Sequence, residues 1–261
     1  MKEFQGKTIL ITGAARGIGK AAAREFADAG ATVLVADIDD VTLVATAKEI
    51  GAEPIVLDVT SVEMWLGAER QIRESYGKLD VLVNNAGVIL NRPFLQTKIE
   101  DLQRVYKINV ESVWMGMQTF YPLLTETAQA TAGSSIVNVS SIYGLVAGPM
   151  HAAYCASKGA VHLLSKAVAV EFGRMGSKIR VNSLHPGPVN TDLGRSGFQD
   201  AVKLGAVKTV EEARKMTDAM HPLGRMAEVD DIIGGILFLA SDRSKFMTGA
   251  EIVIDGGYTA R

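Results

Sequence analysis

Lys7-Thr8-Ile9-Leu10-Ile11-Thr12-Gly13-Ala14-Ala15-Arg16-Gly17-Ile18-Gly19 is the stretch on which the fold turns. The apolar run from Lys7 to Thr12 reads as a buried strand. The glycines that follow open a helix from Gly17 to Ala29, with Gly30 as its stop. Gly13, Gly17 and Gly19 permit a tight turn and a close approach of backbone to a pyrophosphate. The helix behind them, entered through Arg16 and Ile18, presents free N–H groups and the positive end of its dipole. The spacing is G-x-x-x-G-x-G rather than G-x-G-x-x-G, and a glycine turn that serves only helix–strand packing satisfies the same pattern.

Working outward, short β-rich runs alternate with helical patterns along the chain. Strands are expected at Thr32–Ala36, Pro54–Leu57, Leu79–Val83, Ser135–Val139, Ile179–Leu184 and Glu251–Ile254. Helices are expected at Val41–Ile50, Val62–Tyr76, Glu100–Thr125 with Pro122 near its end, Ala152–Arg174 and Val229–Leu239. Asn190–Leu223 is polar and punctuated by glycine, and is expected to be irregular. Strands that read as continuous Val/Ile/Leu runs are covered on both faces. Seven of them imply one α/β, doubly wound parallel sheet with right-handed crossovers. Nothing marks a second domain, so residues 1–261 are expected to form one.

Lys plus Arg number 27 and Asp plus Glu 29, a balance that gives no electrostatic reason to bind nucleic acid or an anionic membrane. Cys155 is the only cysteine, which excludes an intrachain disulfide and a Cys-rich zinc site and fits a cytoplasmic home. The first residues lack a hydrophobic signal core. The longest apolar stretch, Ile232–Ala240, is too short to span a bilayer. A secreted or membrane-inserted protein is therefore not expected.

In such a sheet, ligands bind beyond the carboxyl ends of the strands, and that is where the unusual residues fall. Asp37 ends the second strand, 18 residues after Gly19. A carboxylate there accepts hydrogen bonds from both ribose hydroxyls and repels a 2′-phosphate, which favours NAD over NADP. Arg16 is the counter-signal, since a guanidinium beside the loop grips phosphate. Asp37 can also be a plain helix-start or turn acid, with Asp39 and Asp40 close by. Asp58-Val59 ends the third strand and is placed to reach an adenine, or Asp58 caps the helix beginning near Ser61. Tyr154 and Lys158 are four apart on a helix and share a face. An ammonium and a cationic nicotinamide ring both lower a tyrosine pKa, making it a usable proton acceptor from an alcohol. Alone, the pair also reads as an ordinary surface i,i+4 contact.

With Asn84-Asn85-Ala86-Gly87 after one strand, Ser140-Ser141 after another and Pro186-Gly187 after a third, the chain resembles the short-chain dehydrogenase/reductase family over its whole length. The resemblance implies a single Rossmann-type domain, assembled as a homotetramer or homodimer. It implies Tyr154 as acid/base and Lys158 as the lysine that lowers its pKa and holds the nicotinamide ribose. Ser141 matches the serine that hydrogen-bonds the substrate oxygen, with Ser140 its adjacent competitor. Asn109 matches the asparagine that holds a water beside the lysine, or is an ordinary buried amide satisfied by backbone. It implies further that Asn85, Ala86 and Gly87, and Pro186, Gly187, Val189 and Thr191, contact the dinucleotide, the last two its carboxamide. Ser244–Gly249, Asp255–Ala260 and His185-Pro186-Gly187 are similar to bacterial R-specific and cyclic secondary-alcohol dehydrogenases. Asn85–Leu90 and Lys107–Val113 are similar to hydroxysteroid dehydrogenases. Some R-specific relatives carry a structural magnesium near a C-terminal glutamine. This chain has Arg261 there, and no metal is expected.

The pocket is expected to be lined by Leu90, Tyr143, Leu145, Val146, Met150, His151 and residues 193–220, with a lid at about 190–225 carrying Phe198, Met216 and Met220. That mainly apolar lining fits a hydrophobic, cyclic or steroid-like secondary alcohol or ketone. His151 and Cys155 read as structural. Two other readings compete: a 3-ketoacyl thioester reductase using NADP, and a dinucleotide-sensing regulatory protein on the same fold.

Overall fold

The computed structural model describes residues 2–260. The first half runs β1 (Thr8–Thr12), α1 (Gly17–Asp28), β2 (Thr32–Asp37), α2 (Asp40–Ile50), β3 (Glu53–Val56), α3 (Val62–Tyr76), β4 (Val81–Asn84), α4 (Ile99–Tyr106) and α5 (Ser112–Ala130). The second runs β5 (Ser134–Val139), α6 (Ala152–Arg174), β6 (Ile179–Pro186), α7 (Asp192–Lys203), α8 (Val210–Ala219), α9 (Val229–Ala240) and β7 (Glu251–Ile254). The strands form one parallel, Rossmann-like sheet in the order β3-β2-β1-β4-β5-β6-β7. The order reverses between β1 and β4, so the chain leaves these neighbours in opposite directions and a crevice opens at their carboxyl ends.

Both sheet faces are covered, which explains the unbroken apolar runs. Ile9, Ile11, Val33, Val35, Val81 and Val83 point to the layer holding α1, α2 and α9. Their neighbours Leu10, Leu34, Ala36 and Leu82 point to the layer of α3, α5 and α6. The alternation of faces is present, but it cannot be seen as an alternation of polarity. Helix ends follow local chemistry. Asp39, Ser61, Thr191 and Thr209 cap α2, α3, α7 and α8 with side-chain acceptors, and left-handed Gly51 and Gly77 close α2 and α3.

Two expectations are corrected. Residues 190–223 are not irregular: they hold α7 and α8, each started by a threonine cap. Their helical phase is masked by polar faces and glycines, because these helices bury only a small cluster of Phe198, Ala213 and Met226. The helix expected at 100–125 continues to Ala130 with Pro122 inside it. It passes through a wide turn at Lys107–Glu111, where the backbone hydrogen-bond ladder loosens to five-residue spacing. No helix among the described residues is long and apolar enough to cross a membrane. Arg261, on which the expectation about magnesium turned, lies outside the described residues.

Polar side chains also stitch the sheet centre. Asn84 Nδ2 donates to Asn138 Oδ1 at 2.8 Å, and Asn138 Nδ2 donates to Ser165 Oγ at 2.9 Å, all buried. Asn138→Ala leaves partners in the core unpaired and is expected to cost about 1–3 kcal/mol. Urea unfolding measures this, and a stability equal to wild type would show that the three side chains do not act as a network.

Candidate active site

The glycine loop is held by β4. Thr12 Oγ1 accepts from the backbone N–H of Asn85 at 3.0 Å and of Ala86 at 3.1 Å. The Asn85 amide donates to the carbonyls of Thr12 at 2.9 Å and Gly13 at 3.0 Å. Asn85 therefore braces the loop with its own side chain, a role the sequence did not disclose. Gly13 has φ 64°, and a Cβ there would lie 2.8 Å from Ala86 Cα. A Cβ on Gly19 would lie 2.4 Å from Gly13 O. Gly17, at φ 58°, faces the Thr191 methyl group. Arg16 starts α1 with no side-chain cap among the described residues, unlike the capped helices. The first amides of α1 and Ile18 thus face the crevice with a dipole and no resident acceptor, which fits a pyrophosphate.

At the end of β2, Asp37 Oδ2 accepts from Ala15 N and Oδ1 from Asp39 N, each at 3.1 Å. Asp39, not Asp37, caps the next helix, while the bond from Asp39 N to Asp37 Oδ1, two residues apart, makes Asp37 a turn acid. Arg16 is paired with Asp39 and also reaches Thr42 Oγ1 at 3.4 Å. At the end of β3, Asp58 Oδ1 accepts from Thr60 N and Oγ1, both at 2.8 Å, while Ser61 caps α3. Val59 packs on the core and its carbonyl accepts from Trp65 Nε1 at 3.0 Å.

The reacting end is built by β4, β5, α6 and the turn inside the long helix. Tyr154 and Lys158 lie on one face of α6. Lys158 Nζ stands 5.8 Å from the Tyr154 ring centre and donates to Val139 O at 2.8 Å. Ser140 is committed to structure, its hydroxyl donating to Lys158 O at 2.9 Å. Ser141 is the serine that reaches Tyr154, and its Oγ also accepts from Tyr143 N at 3.1 Å. Asn109 is buried, but its amide is already engaged. Oδ1 accepts from Val88 N at 2.8 Å, and Nδ2 donates to Val88 O at 2.9 Å and Ser157 Oγ at 3.0 Å. It pins the β4 loop against α6, beside Gly87, where a Cβ would crowd the Asn109 amide at 3.2 Å. Any water held by Asn109 must use its backbone, in the loosened turn at 107–111.

Pro186 ends β6, Gly187 lies too close to Asp255 Cα for a side chain (2.9 Å), and Val189 is buried. Thr191 Oγ1 accepts from Gly194 N at 3.1 Å as the α7 cap. Of the residues expected to form a lid, Phe198 faces inward with Ala213 and Met226, whereas Met216 is exposed. Tyr143 packs against His151 at a tilt of 49°, with ring centres 4.8 Å apart, and meets both Tyr154 and Tyr258 edge-on. Among the described residues, no group of three or more His, Cys, Asp or Glu is placed to hold a metal ion.

Burial decides the protonation states. From protein groups alone, burial pushes Tyr154 up to about 12, against the Ser141 hydrogen bond, and pushes Lys158 down to about 8. The expected depression of Tyr154 is thus not supplied by the chain. The sequence reading counted the lysine charge but not the loss of solvent around the phenol. His185 is a further residue the sequence did not single out. It is fully buried behind the site, with Nδ1–H donating to Ser141 O at 2.9 Å and Nε2 within 2.9 Å of Ser183 Oγ. The carbonyl partner fixes the tautomer, and the position before Pro186-Gly187 was the only available signal.

A family model described as enoyl-(acyl carrier protein) reductase matches residues 13–259. A cyclopentanol dehydrogenase of a Comamonas species is 38% identical over 265 residues, covering 100% of both chains. A carbonyl reductase (NADPH) 2 of Sus scrofa is 38% identical over 258 residues, covering 98% of each. A crystal structure of a short-chain type dehydrogenase/reductase from Mycobacterium marinum superposes with TM-score 0.88 at 35% identity, covering 99% of this chain and 98% of the other.

Burial depresses His185 from its ordinary 6.5 to about 4, so the native state refuses a proton that the unfolded chain accepts. Its stability contribution is full above pH 6.5 and is lost as pH falls toward 4, by up to about 3 kcal/mol. Urea unfolding at pH 7 and pH 4.5 is expected to show this loss in the wild type and a smaller one in His185→Gln. Equal slopes would assign the acid lability elsewhere.

Proposed function

The chain belongs to the short-chain dehydrogenase/reductase family, as an oxidoreductase acting on alcohols or ketones with a nicotinamide dinucleotide. We propose that it transfers hydride between NAD(H) and a largely apolar, cyclic secondary alcohol or its ketone. The observation that carries this reading is the convergence of Tyr154, Lys158 and Ser141 beside the uncapped amides of α1, at the crevice where the strand order reverses.

In alcohol oxidation the Ser141 hydroxyl orients the substrate oxygen, and Tyr154 Oη takes its proton. The Lys158 ammonium, on the same helix face, favours the phenolate so formed and holds the ribose. Asn109 keeps the β4 loop and α6 in register, and its backbone turn links the lysine to water. In ketone reduction the same groups run in reverse. When bound, the dinucleotide supplies the hydride acceptor and a positive ring that favours Tyr154 phenolate. Gly13, Gly17, Gly19, Asn85, Ala86 and Gly87 give the pyrophosphate and ribose their close approach. Asp58 and Val59 would help hold the adenine. Pro186, Gly187, Val189 and Thr191 border the carboxamide.

NAD is favoured because two carboxylates, Asp37 and Asp39, stand at the end of β2, and Arg16, the group that would grip a 2′-phosphate, is already paired. A cyclic substrate is supported by the full-length relative named for cyclopentanol. The reading includes residues 1–261 as one catalytic domain with α7 and α8 as its lid, a cytoplasmic home consistent with the lone Cys155, and assembly as a homotetramer or homodimer.

Tyr154→Phe is expected to lower turnover at least about a hundredfold while retaining dinucleotide binding, read from quenching of protein fluorescence. Full activity in that variant would overturn the mechanism. Initial rates with NAD and NADP against cyclic secondary alcohols and 3-hydroxyacyl thioesters test the rest. Expected are preference for NAD and a cyclic alcohol, and a rise in NADP use in Asp37→Ser. Preference for NADP with the thioester would make the ketoacyl reductase the correct reading.

A further inference from the structure

The parallel sheet has a second end. Opposite the crevice, at the amino ends of β1, β4, β5 and β6, a cavity of about 370 Å³ opens between the sheet and the turns that follow α6 and α9. Its charged lining is Lys7, Lys178, Arg180 and Lys245, with Asp80 and Asp242. Asp80 is buried and already held twice, by Lys7 Nζ at 3.1 Å and by Lys78 Nζ at 3.3 Å. Lys178, Arg180 and Lys245 are thus left with the one carboxylate of Asp242. This positive basin lies on a chain whose formal net charge is -2.

Two of these cations are kept there against local preference. Arg180 bonds to neutral acceptors alone. Its Nη1 donates to Ser244 Oγ at 2.9 Å, Leu239 O at 3.0 Å and Met247 O at 3.5 Å, and its Nη2 to Ser241 O at 3.1 Å. Burial pulls its pKa below the ordinary value, and Asp242 opposes this only through space. The carbonyls at the end of α9 fix the guanidinium, but they leave its charge without a bonded anion. Lys178 has φ 57°, in the left-handed region where glycine is the ordinary choice, while its carbonyl accepts from Ser134 N at 3.2 Å. Packing does not ask for a lysine there, because the residue is exposed. The side chains of Lys178 and Lys245 form no ion pair or hydrogen bond among the described residues.

We propose that this cavity is a binding site for a multivalent oxyanion, a phosphate group free or carried on a small molecule, recognised by Arg180, Lys178 and Lys245. Guanidinium and ammonium donors meet phosphate oxygens with charge-assisted hydrogen bonds, and one shared anion removes the repulsion among three like charges. Arg180 supplies the fixed floor. The two lysines, on flexible stems, turn to the guest. The site stands at the far end of the strands from Tyr154, so it does not depend on which alcohol the enzyme takes.

The test follows thermal unfolding of the full chain, saturated with NAD or NADP so that the dinucleotide site is filled. The probes are inorganic phosphate and glycerol 3-phosphate, with potassium chloride at matched ionic strength as the control. The midpoint is expected to rise saturably with at least one probe and not with chloride. A stronger response to phosphate assigns a free ion, and a stronger response to glycerol 3-phosphate assigns a phosphorylated small molecule. Lys178→Gly and Lys245→Gln are each expected to weaken the apparent Kd about tenfold. Lys178→Gly separates binding from folding, since glycine suits the left-handed backbone. This variant is expected to keep native stability without the anion and still bind it more weakly. A wild type with no saturable rise beyond chloride for either probe overturns the proposal. So does an unchanged Kd in both variants, which places the anion elsewhere on the chain.

Discussion

A side chain at residue 13 or residue 19 has nowhere to go. The first would meet Ala86 Cα and the second the Gly13 carbonyl, at distances no Cβ tolerates. This exclusion lets β1 and β4 run side by side to their carboxyl ends and turn away in opposite directions. Asn85 and Thr12 then lock the gap by filling it with hydrogen bonds. The crevice, the uncapped start of α1 and the placement of Gly87 beside Lys158 all descend from that contact. The sheet supplies rigidity, and the glycines supply the room that a ligand needs.

The chemistry depends on a second constraint, desolvation. Tyr154 and Lys158 are pushed in opposite directions by the same burial, and both shifts favour their neutral forms. The groups behind the site are arranged to keep it rigid. Ser140 ties the end of β5 to α6, His185 ties Ser141 to β6, and Asn109 ties the β4 loop to α6. Each of these side chains is polar and buried, and each has a partner, which is the condition for retaining it in a core.

On the outer side of the crevice, Met150 is held at φ 66°, outside the range its side chain prefers, while its carbonyl accepts from Arg92 N at 2.8 Å. Asn91 reaches across to Asp200 on α7 at 3.2 Å. The loops after β4 and β5 are thereby joined to each other and to α7.

The strands, their parallel arrangement, the glycine turn between β1 and α1 and the positions of Tyr154, Lys158 and Ser141 were legible in the sequence. They rest on local rules: apolar runs, glycine spacing, and the four-residue period of a helix. The choice of Ser141 over Ser140 was legible only as a preference, and became concrete when Ser140 was found donating to Lys158 O. The helices at 192–203 and 210–219 were not legible, because they bury too little surface to leave an apolar stripe. The pairing of Arg16 with Asp39, the bracing by Asn85 and Asn109, the burial of His185 and the meeting of Tyr143 with Tyr258 were decided by tertiary structure alone. Each joins residues far apart in the chain or depends on how much water the fold removes, and neither distance in space nor desolvation is written in a local pattern.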